Sequence, residues 1–244
     1  VYTANDLLLA TKSISVEEFM PDRIKLEVNA SAKEFMPGEI MILEGTATNF
    51  FGPPASNRNY EVEMILERMP MFRDKFPDYN FSVSSNQYLE SVVNEGKTDE
   101  NGRISEAFAL KETYENLGIL EGKFYVTVFD ENGRPVRRLA PFKAITQSVF
   151  FGINTQNSYV NTRKPFNIPL IALDKDGSDA NAKANLKIIR YEWRTAIQRA
   201  ENGTLSYDSQ REEIVELNKV VNITGKQNYE FIPRVSGDYE IRIS

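Results

Sequence analysis

Adjacent carboxylates are the first residues in this sequence whose type and spacing could carry out a reaction. They occur as Glu17-Glu18, Asp99-Glu100, Asp130-Glu131 and Glu212-Glu213. Two carboxyl groups that flank a sugar can hydrolyse its glycosidic bond. Adjacent residues of a strand point to opposite faces, however, and two of the pairs fall in predicted hairpin turns. The sequence therefore favours solvated charges, and it predicts neither a catalytic residue nor an enzyme.

Histidine and cysteine are both absent from the 244 residues. Their absence excludes a Ser-His-Asp triad, a thiol nucleophile, a disulfide and haem or iron–sulfur ligation, so a metal could have only oxygen ligands. One loop carries such ligands, Asp174-Lys175-Asp176-Gly177-Ser178-Asp179. It lacks the Asp or Asn at the fifth position and the distal Glu of a calcium-binding loop. We therefore favour a turn there over a calcium site and expect no metal and no cofactor.

Two segments rich in aromatic residues could contact another protein surface. Phe50 and Phe51 precede a turn that is stiffened by Pro53 and Pro54. The favoured interpretation is that Phe50 or Phe51 closes one end of its own sandwich; the alternative is that the rings are exposed and these four residues form a contact between domains. Residues 68–79 are compatible with a peptide-binding loop, but the favoured interpretation is a loop folded across its own sheet.

The elements that must position these segments show a period of two residues. Apolar residues alternate with charged ones at 24–28 and 238–243, and a similar alternation occurs at 124–128. Further strand-like runs occupy 40–48, 60–67, 81–83, 166–173 and 229–232, and turns containing Gly or Pro separate them. Many short strands with frequent turns predict an all-β fold of antiparallel sandwiches.

Residues 183–199 fit two periods. Four basic residues lie at helical spacing, which indicates an amphipathic helix. Ile189, Tyr191 and Trp193 alternate with charged residues, which indicates a strand, so periodicity leaves both possibilities open. The stretch that follows, 199–213, is predicted to be a hairpin arm or a long loop.

Length and charge suggest how the chain is divided. A chain of 244 residues fits two domains, and the acidic excess lies before residue 144, which predicts a boundary near 142–148. The net charge of −6 argues against nucleic acid or an anionic membrane as a partner. No apolar run is long enough to span a bilayer, and the missing initial Met suggests a piece of a longer protein.

Several motifs resemble, in their order along the chain, the bacterial alpha-2-macroglobulin family, specifically two consecutive macroglobulin-like domains that precede the bait region. They include Phe35-Met36-Pro37-Gly38-Glu39, Asn49-Phe50-Phe51-Gly52-Pro53-Pro54-Ala55, Val128-Phe129-Asp130-Glu131-Asn132-Gly133, Thr146-Gln147 with Phe150-Phe151-Gly152, and Arg190-Tyr191-Glu192-Trp193. The resemblance extends over nearly the whole chain.

This resemblance implies a tandem of immunoglobulin- or fibronectin-like antiparallel sandwiches. Residues 1–15 would be the trailing strand of a preceding domain, 16–145 the first macroglobulin-like domain and 146–244 the second, with the bait region expected to follow. The resemblance also implies a strand over 183–199, with Trp193 buried between a long hairpin and its sheet.

Members of the family are large envelope proteins of Gram-negative bacteria that entrap proteases after bait cleavage, often with a Cys-Gln thioester. This chain has no cysteine and therefore no thioester. The resemblance implies a non-catalytic scaffold in the periplasm or cell envelope. Its partners would be other domains of the same chain and, in the full-length protein, target proteases. The alternative is a pair of immunoglobulin-like modules from a surface adhesin or polymer-binding protein.

Overall fold

A computed structural model describes residues 23–154, 159–199 and 205–244; beside the last gap, side chains are described only up to 194 and from 209. Two of the sequence predictions, the trailing strand 1–15 and the pair Glu17-Glu18, lie outside the described residues. No helix in the described parts of the chain has the length and apolarity needed to cross a membrane.

The first sandwich contains two sheets. One has the order β1 (Ile24–Ala30), β3 (Ile40–Asn49), β7 (Arg103–Ala109), and the other has the order β2 (Glu34–Phe35), β9 (Pro135–Ile145), β8 (Ile119–Phe129), β4 (Asn59–Arg68), β6 (Val92–Lys97). All neighbours pair antiparallel except the short β2, which runs parallel to β9. The two-residue period places Val62 and Met64 of β4 and Phe124 of β8 in a shared core, where Phe124 stacks on Phe142 at 4.7 Å between ring centroids.

The second sandwich also contains two sheets. Their orders are β14 (Lys226–Phe231), β11 (Phe166–Leu173), β10 (Phe150–Asn154), β5 (Tyr79–Asn80), and β13 (Leu205–Thr224), β12 (Asn181–Arg199), β15 (Asp238–Ile243). Ile168, Leu170, Leu186 and Ile188 form the centre of its core. The only helical turn in the described residues is a 3-10 turn at Glu112–Tyr114. The predicted all-β fold of tandem antiparallel sandwiches is confirmed.

The contested segment is a strand, so the helical interpretation of 183–199 is wrong. β12 pairs with β13 from Asn181↔Thr224 to Arg199↔Leu205, so the described part of the stretch 199–213, namely Arg199 and residues 205–213, belongs to a hairpin arm rather than a loop. Backbone pairing between the two strands, which a helix could not make, decides between two periods that the sequence carries equally well.

Trp193 is not buried, and the expectation of a core position is wrong. Its side chain is 62% exposed. β15 pairs with β12 only as far as Tyr191↔Asp238, so Trp193 lies on the part of the hairpin that extends beyond the third strand. We call this part, residues 192–199 and 205–212, the arm. A two-stranded ribbon has no second sheet to cover its faces, which explains the exposure.

Candidate functional site

Residues 69–81, which we call the strap, leave the first sandwich and become part of the second. Within the strap, β5 pairs with β10, with Asn80 opposite Ile153 and Tyr79 opposite Asn154. The prediction that this segment folds across its own sheet is therefore wrong. The predicted strand at 81–83 is also displaced: the Asn80 side chain accepts a hydrogen bond from the Ser82 amide at 2.8 Å, and this local turn ends the strand.

The strap fills a hydrophobic cluster to which both sandwiches contribute. Ile119 and Ile145 come from the first sandwich, and Phe150, Ile171 and Leu173 come from the second. The strap inserts Phe81, which is only 5% exposed, with Met69, Met71, Phe72, Phe76 and Tyr79 around it. We call this shared cluster the joint.

Aromatic rings pack edge to face through the joint. The Phe72 centroid lies 5.1 Å from that of Phe81 and 5.4 Å from that of Phe150. Gly152 faces the Phe81 ring, and a Cβ at this position would come within 2.7 Å of it. Glycine inside a strand often marks such a close approach, so Gly152 is the signal in the sequence that could have located the joint.

Polar contacts also cross between the sandwiches. The Lys75 ammonium donates a hydrogen bond to the carbonyl of Gly177, and the Lys175 ammonium lies 3.0 Å from the Glu34 carboxylate. Lys226 places its ammonium 5.0 Å from the centroid of the Phe76 ring. The Lys175–Glu34 pair is half-exposed and contributes little to stability, so the joint depends mainly on its apolar cluster.

The linker between the sandwiches is held by hydrogen bonds. The buried Thr146 hydroxyl accepts a bond from the Leu117 amide at 2.8 Å and donates one to the Gly118 carbonyl at 2.7 Å. The next residue, Gln147, accepts a bond from the Gly118 amide at 3.2 Å and donates one to the Val149 carbonyl at 2.9 Å. The connection between the sandwiches is thus fixed rather than free, in agreement with the shared cluster.

The Phe50–Phe51 turn lies at the opposite end of the first sandwich. Phe50 is 71% and Phe51 93% exposed, and the two rings contact each other at 5.6 Å between centroids. The Phe50 amide donates to the carbonyl of Arg23 at 2.8 Å, so the chain enters the described structure beside this turn. Pro53 and Pro54 complete the turn, and Pro54 forms a bridge with Thr48. The expectation that one of these rings closes the end of its own sandwich is therefore wrong, because both are exposed.

The carboxylates singled out in the sequence that lie within the described residues do not converge. The side chains of Asp99 and Asp130 each accept hydrogen bonds from two backbone amides of their own hairpin turn. In the second of these turns Gly133 adopts a φ of +79°, a left-handed conformation that favours glycine. Glu131 pairs with Arg58. The backbone amide of Arg134, the largest cause, lowers the pKa of Asp130. These are structural carboxylates that stabilise turns.

The remaining carboxylate pair and the acidic loop 174–179 also have local partners. Glu212 pairs with Arg194 and Glu213 with Arg242. The Asp174 side chain accepts hydrogen bonds from the backbone amides of Asp176 and Ser178, both at 2.9 Å. These bonds form the predicted turn. No group of three or more acidic side chains within the described ranges has an arrangement that could hold a metal ion.

Arg190 is a buried charge that the sequence did not reveal. It is 7% exposed and donates to Glu216 at 2.7 Å and to Glu192 at 2.6 Å. The pairing shifts by one residue between Ile188 and Ile189, so that Glu216 has no residue opposite it on β12. This bulge is where the Glu216 carboxylate meets the guanidinium.

On the opposite face of the same sheet, Tyr191 and Arg242 both donate hydrogen bonds to Glu240. The bond from Arg242 is the larger cause and the bond from Tyr191 the next, and together they lower the pKa of Glu240 to about 2. The guanidinium of Arg211 covers the Tyr191 ring at 4.1 Å. Both clusters hold the base of the arm.

Comparison with known proteins bears on this architecture. The protein-family model of the bacterial alpha-2-macroglobulin MG5 domain matches residues 22–144, and the family model of bacterial macroglobulin domain 6 matches residues 152–244. The chain belongs to the bacterial alpha-2-macroglobulin family. It is 23% identical to the alpha-2-macroglobulin of Pasteurella multocida over 98% of this chain and 13% of that protein. It is 26% identical to the alpha-2-macroglobulin homolog of Yersinia pestis, over 85% of this chain and 11% of that protein.

Solved alpha-2-macroglobulins share the fold. The native conformation of the Escherichia coli protein superposes with a TM-score of 0.63 at 15% identity, covering 93% of this chain and 15% of that one. The same protein activated by porcine elastase superposes with a TM-score of 0.63 at 18% identity, covering 92% of this chain and 21% of that one. The Salmonella protein reacted with methylamine superposes with a TM-score of 0.60 at 16% identity, covering 93% of this chain and 16% of that one. The chain thus spans a small part of its alpha-2-macroglobulin relatives.

Proposed function

We propose that this chain is a non-catalytic scaffold portion of a protease-trapping alpha-2-macroglobulin of the periplasm or cell envelope. The observation that carries the proposal is the pair of consecutive matches to macroglobulin domains, 22–144 and 152–244. An Escherichia coli relative was solved both in a native conformation and after activation by porcine elastase, so a protein of this family responds to a protease.

The scaffold role follows from the way the two sandwiches are connected. A relay between distant domains needs elements that move together. The strap, the joint and the hydrogen-bonded linker give the two sandwiches a common core, so a displacement of one is transmitted to the other. We propose the divisions 16–145 and 146–244 for the two domains and 1–15 for the trailing strand of a preceding one.

The Phe50–Phe51 turn is the proposed contact with the preceding domain. Phe50, Phe51, Pro53 and Pro54 present exposed apolar surface, and a hydrogen bond joins Phe50 to Arg23, where the chain enters the first sandwich. A preceding domain would therefore arrive beside these rings. Exposed aromatic residues are frequent at the centre of protein interfaces. The other partners we propose are target proteases of the full-length protein.

The test uses the 244-residue chain and, in parallel, a longer protein of the family that contains it. Each is incubated with a protease, and cleavage of a large protein substrate and of a small peptide substrate is followed. We expect the longer protein to protect the large substrate selectively and the 244-residue chain to protect neither. Selective protection by the 244-residue chain would place trapping in these two domains, and equal loss of both activities would indicate an active-site inhibitor; either result contradicts the scaffold role.

A further inference from the structure

One segment of the first sandwich has no regular structure, although the chain on both sides of it is held. Residues 82–88, which we call the return segment, lead from the strap back towards β6. Phe81 is buried in the joint before the segment, and Leu89 packs against the first core after it. The segment therefore crosses the surface between two fixed points.

The backbone of the return segment takes part in no sheet, and side chains alone hold it, including the Asn80 side chain that accepts the hydrogen bond of the Ser82 amide. Within the described part of the chain, none of its amides or carbonyls is bonded to another backbone group. Its contacts come from side chains: the Arg68 guanidinium donates to the carbonyls of Ser85 and Gln87 at 3.2 and 3.0 Å, and the Ser85 hydroxyl accepts the Gln87 amide at 3.1 Å. Tyr88, at its end, is 75% exposed.

These features are those of a protease substrate. An enzyme that binds an extended peptide pairs with the main chain of that peptide. Within the described residues the backbone groups of Asn86 and Tyr88 make no hydrogen bond, whereas the bonds that Ser85, Gln87 and Glu90 make to side chains must be released for the peptide to bind. Paired strands become accessible only after local unfolding. The Phe51 side chain is more exposed than Tyr88, but its backbone lies in a turn closed by a bond from the Gly52 amide to the Asn49 carbonyl at 2.8 Å. Exposure of a side chain alone is therefore not sufficient.

We propose that the return segment is a protease-cleavage site, cut between Tyr88 and Leu89 by endoproteases that select an aromatic residue, and that the cut chain remains assembled. Water adds across the Tyr88–Leu89 peptide bond and leaves a carboxylate on Tyr88 and an amino group on Leu89. This inference concerns the first sandwich alone and does not depend on the proposed function.

Assembly after the cut follows from contacts on both sides. The strap keeps β5 paired with β10 and its rings in the joint. On the other side, β6 pairs with β4 from Asn59↔Lys97 to Met64↔Val92. Glu90 forms an ion pair with Lys111, and its amide donates to the Tyr114 hydroxyl at 3.3 Å. None of these contacts requires the Tyr88–Leu89 bond.

The test compares chymotrypsin with trypsin under native conditions. The chain has no Lys or Arg between Lys75 and Lys97, so trypsin cannot cut the return segment and serves as a matched control. With chymotrypsin we expect the first cut within the first sandwich to yield a fragment that begins Leu89-Glu90-Ser91, identified by N-terminal sequencing. The two fragments should elute together in size-exclusion chromatography and separate only in denaturant.

Two variants make the result specific. Tyr88→Ser should slow this cut by more than about ten-fold, because the protease loses the ring that it selects. Tyr159→Ser, the same substitution at a tyrosine that is 97% exposed, should leave the rate unchanged. A first cut in the first sandwich after Phe51, or an equal rate in Tyr88→Ser, overturns the cleavage site. Fragments that separate without denaturant overturn the assembled state.

Discussion

Replacing Phe81 by Ala tests whether the second sandwich is completed by the first. Phe81 precedes the predicted boundary by more than sixty positions in the sequence, yet its ring lies among side chains of both sandwiches and faces Gly152 of β10. If the packing described here is correct, the substitution weakens the second sandwich as well as the joint. If the strap instead belonged to its own sheet, only the first sandwich would be affected.

The stability that Phe81→Ala is expected to remove can be calculated from the burial of the ring. Truncating a buried Phe to Ala costs about 3–5 kcal/mol, through lost transfer free energy and the cavity that remains. Phe81 is 5% exposed and contacts the Phe72 ring, and each such ring pair contributes about 0.5–1.5 kcal/mol beyond burial. Gly152 offers no side chain that could fill the space. We therefore expect the free energy of opening the second sandwich to fall by about 4 kcal/mol, which raises the equilibrium constant for opening roughly a thousand-fold.

Hydrogen exchange followed by mass spectrometry of peptides is the assay. In Phe81→Ala, the amides of β10 and β11 should exchange up to about a thousand-fold faster, whereas those of β3 should change much less. Phe51→Ala is the matched control, because its ring is 93% exposed and its loss should change protection by less than about 0.5 kcal/mol. A loss below about 1 kcal/mol, or one confined to β3, β4 and β8, would refute the account of the joint.

Three further predictions concern the second sandwich. Trp193→Ala should lower the free energy of unfolding by less than about 1 kcal/mol, and the emission of Trp193 should be that of a solvated indole that iodide quenches; blue-shifted, unquenched emission would contradict its exposed position. Arg190→Met should lower the free energy of unfolding measured by chemical denaturation, because Glu216 is left as an unpaired, mostly buried carboxylate. Adding Glu216→Gln should recover most of that loss, and no recovery would show that packing matters more than charge. The pKa of Glu240, about 2 in the folded chain against an ordinary value of 4.5, means that its contribution is present above pH 4.5 and is lost as the pH falls through about 2. Because that side chain is 42% exposed, the contribution should be under about 1 kcal/mol, and Glu240→Gln should flatten the fall in stability between about pH 5 and 2, measured by denaturation at each pH.

Local alternation was sufficient for most of the strands. The run at 166–173 coincides with β11, and the runs at 40–48 and 60–67 differ from β3 and β4 by one residue at the ends. The turns could also be predicted from the sequence, because the side chains of Asp99, Asp130 and Asp174 accept hydrogen bonds from the amides of their own turns. Such features depend on neighbours within about five residues, and the sequence displays those neighbours directly.

Periodicity did not decide the segment 183–199, where helical and extended patterns coexist. The resemblance to macroglobulin domains indicated a strand, and pairing with β13 confirms it. The same resemblance placed Trp193 in a core, which is wrong, because burial depends on where β15 ends relative to the hairpin. The end of one strand relative to another is a property of long-range register, and no local pattern records it.

The sequence by itself therefore determined the all-β class, the turn positions, the absence of thiol and imidazole chemistry and the family. Only the tertiary structure decided where the strap goes, which carboxylates have partners and how the sandwiches share a core. Phe81 shows the physical reason. Its apolar character predicts that it is buried, but the surface that buries it is built by β10 and β11, more than sixty residues further along the chain, and a strand's choice of partner is made by pairing and packing over that distance.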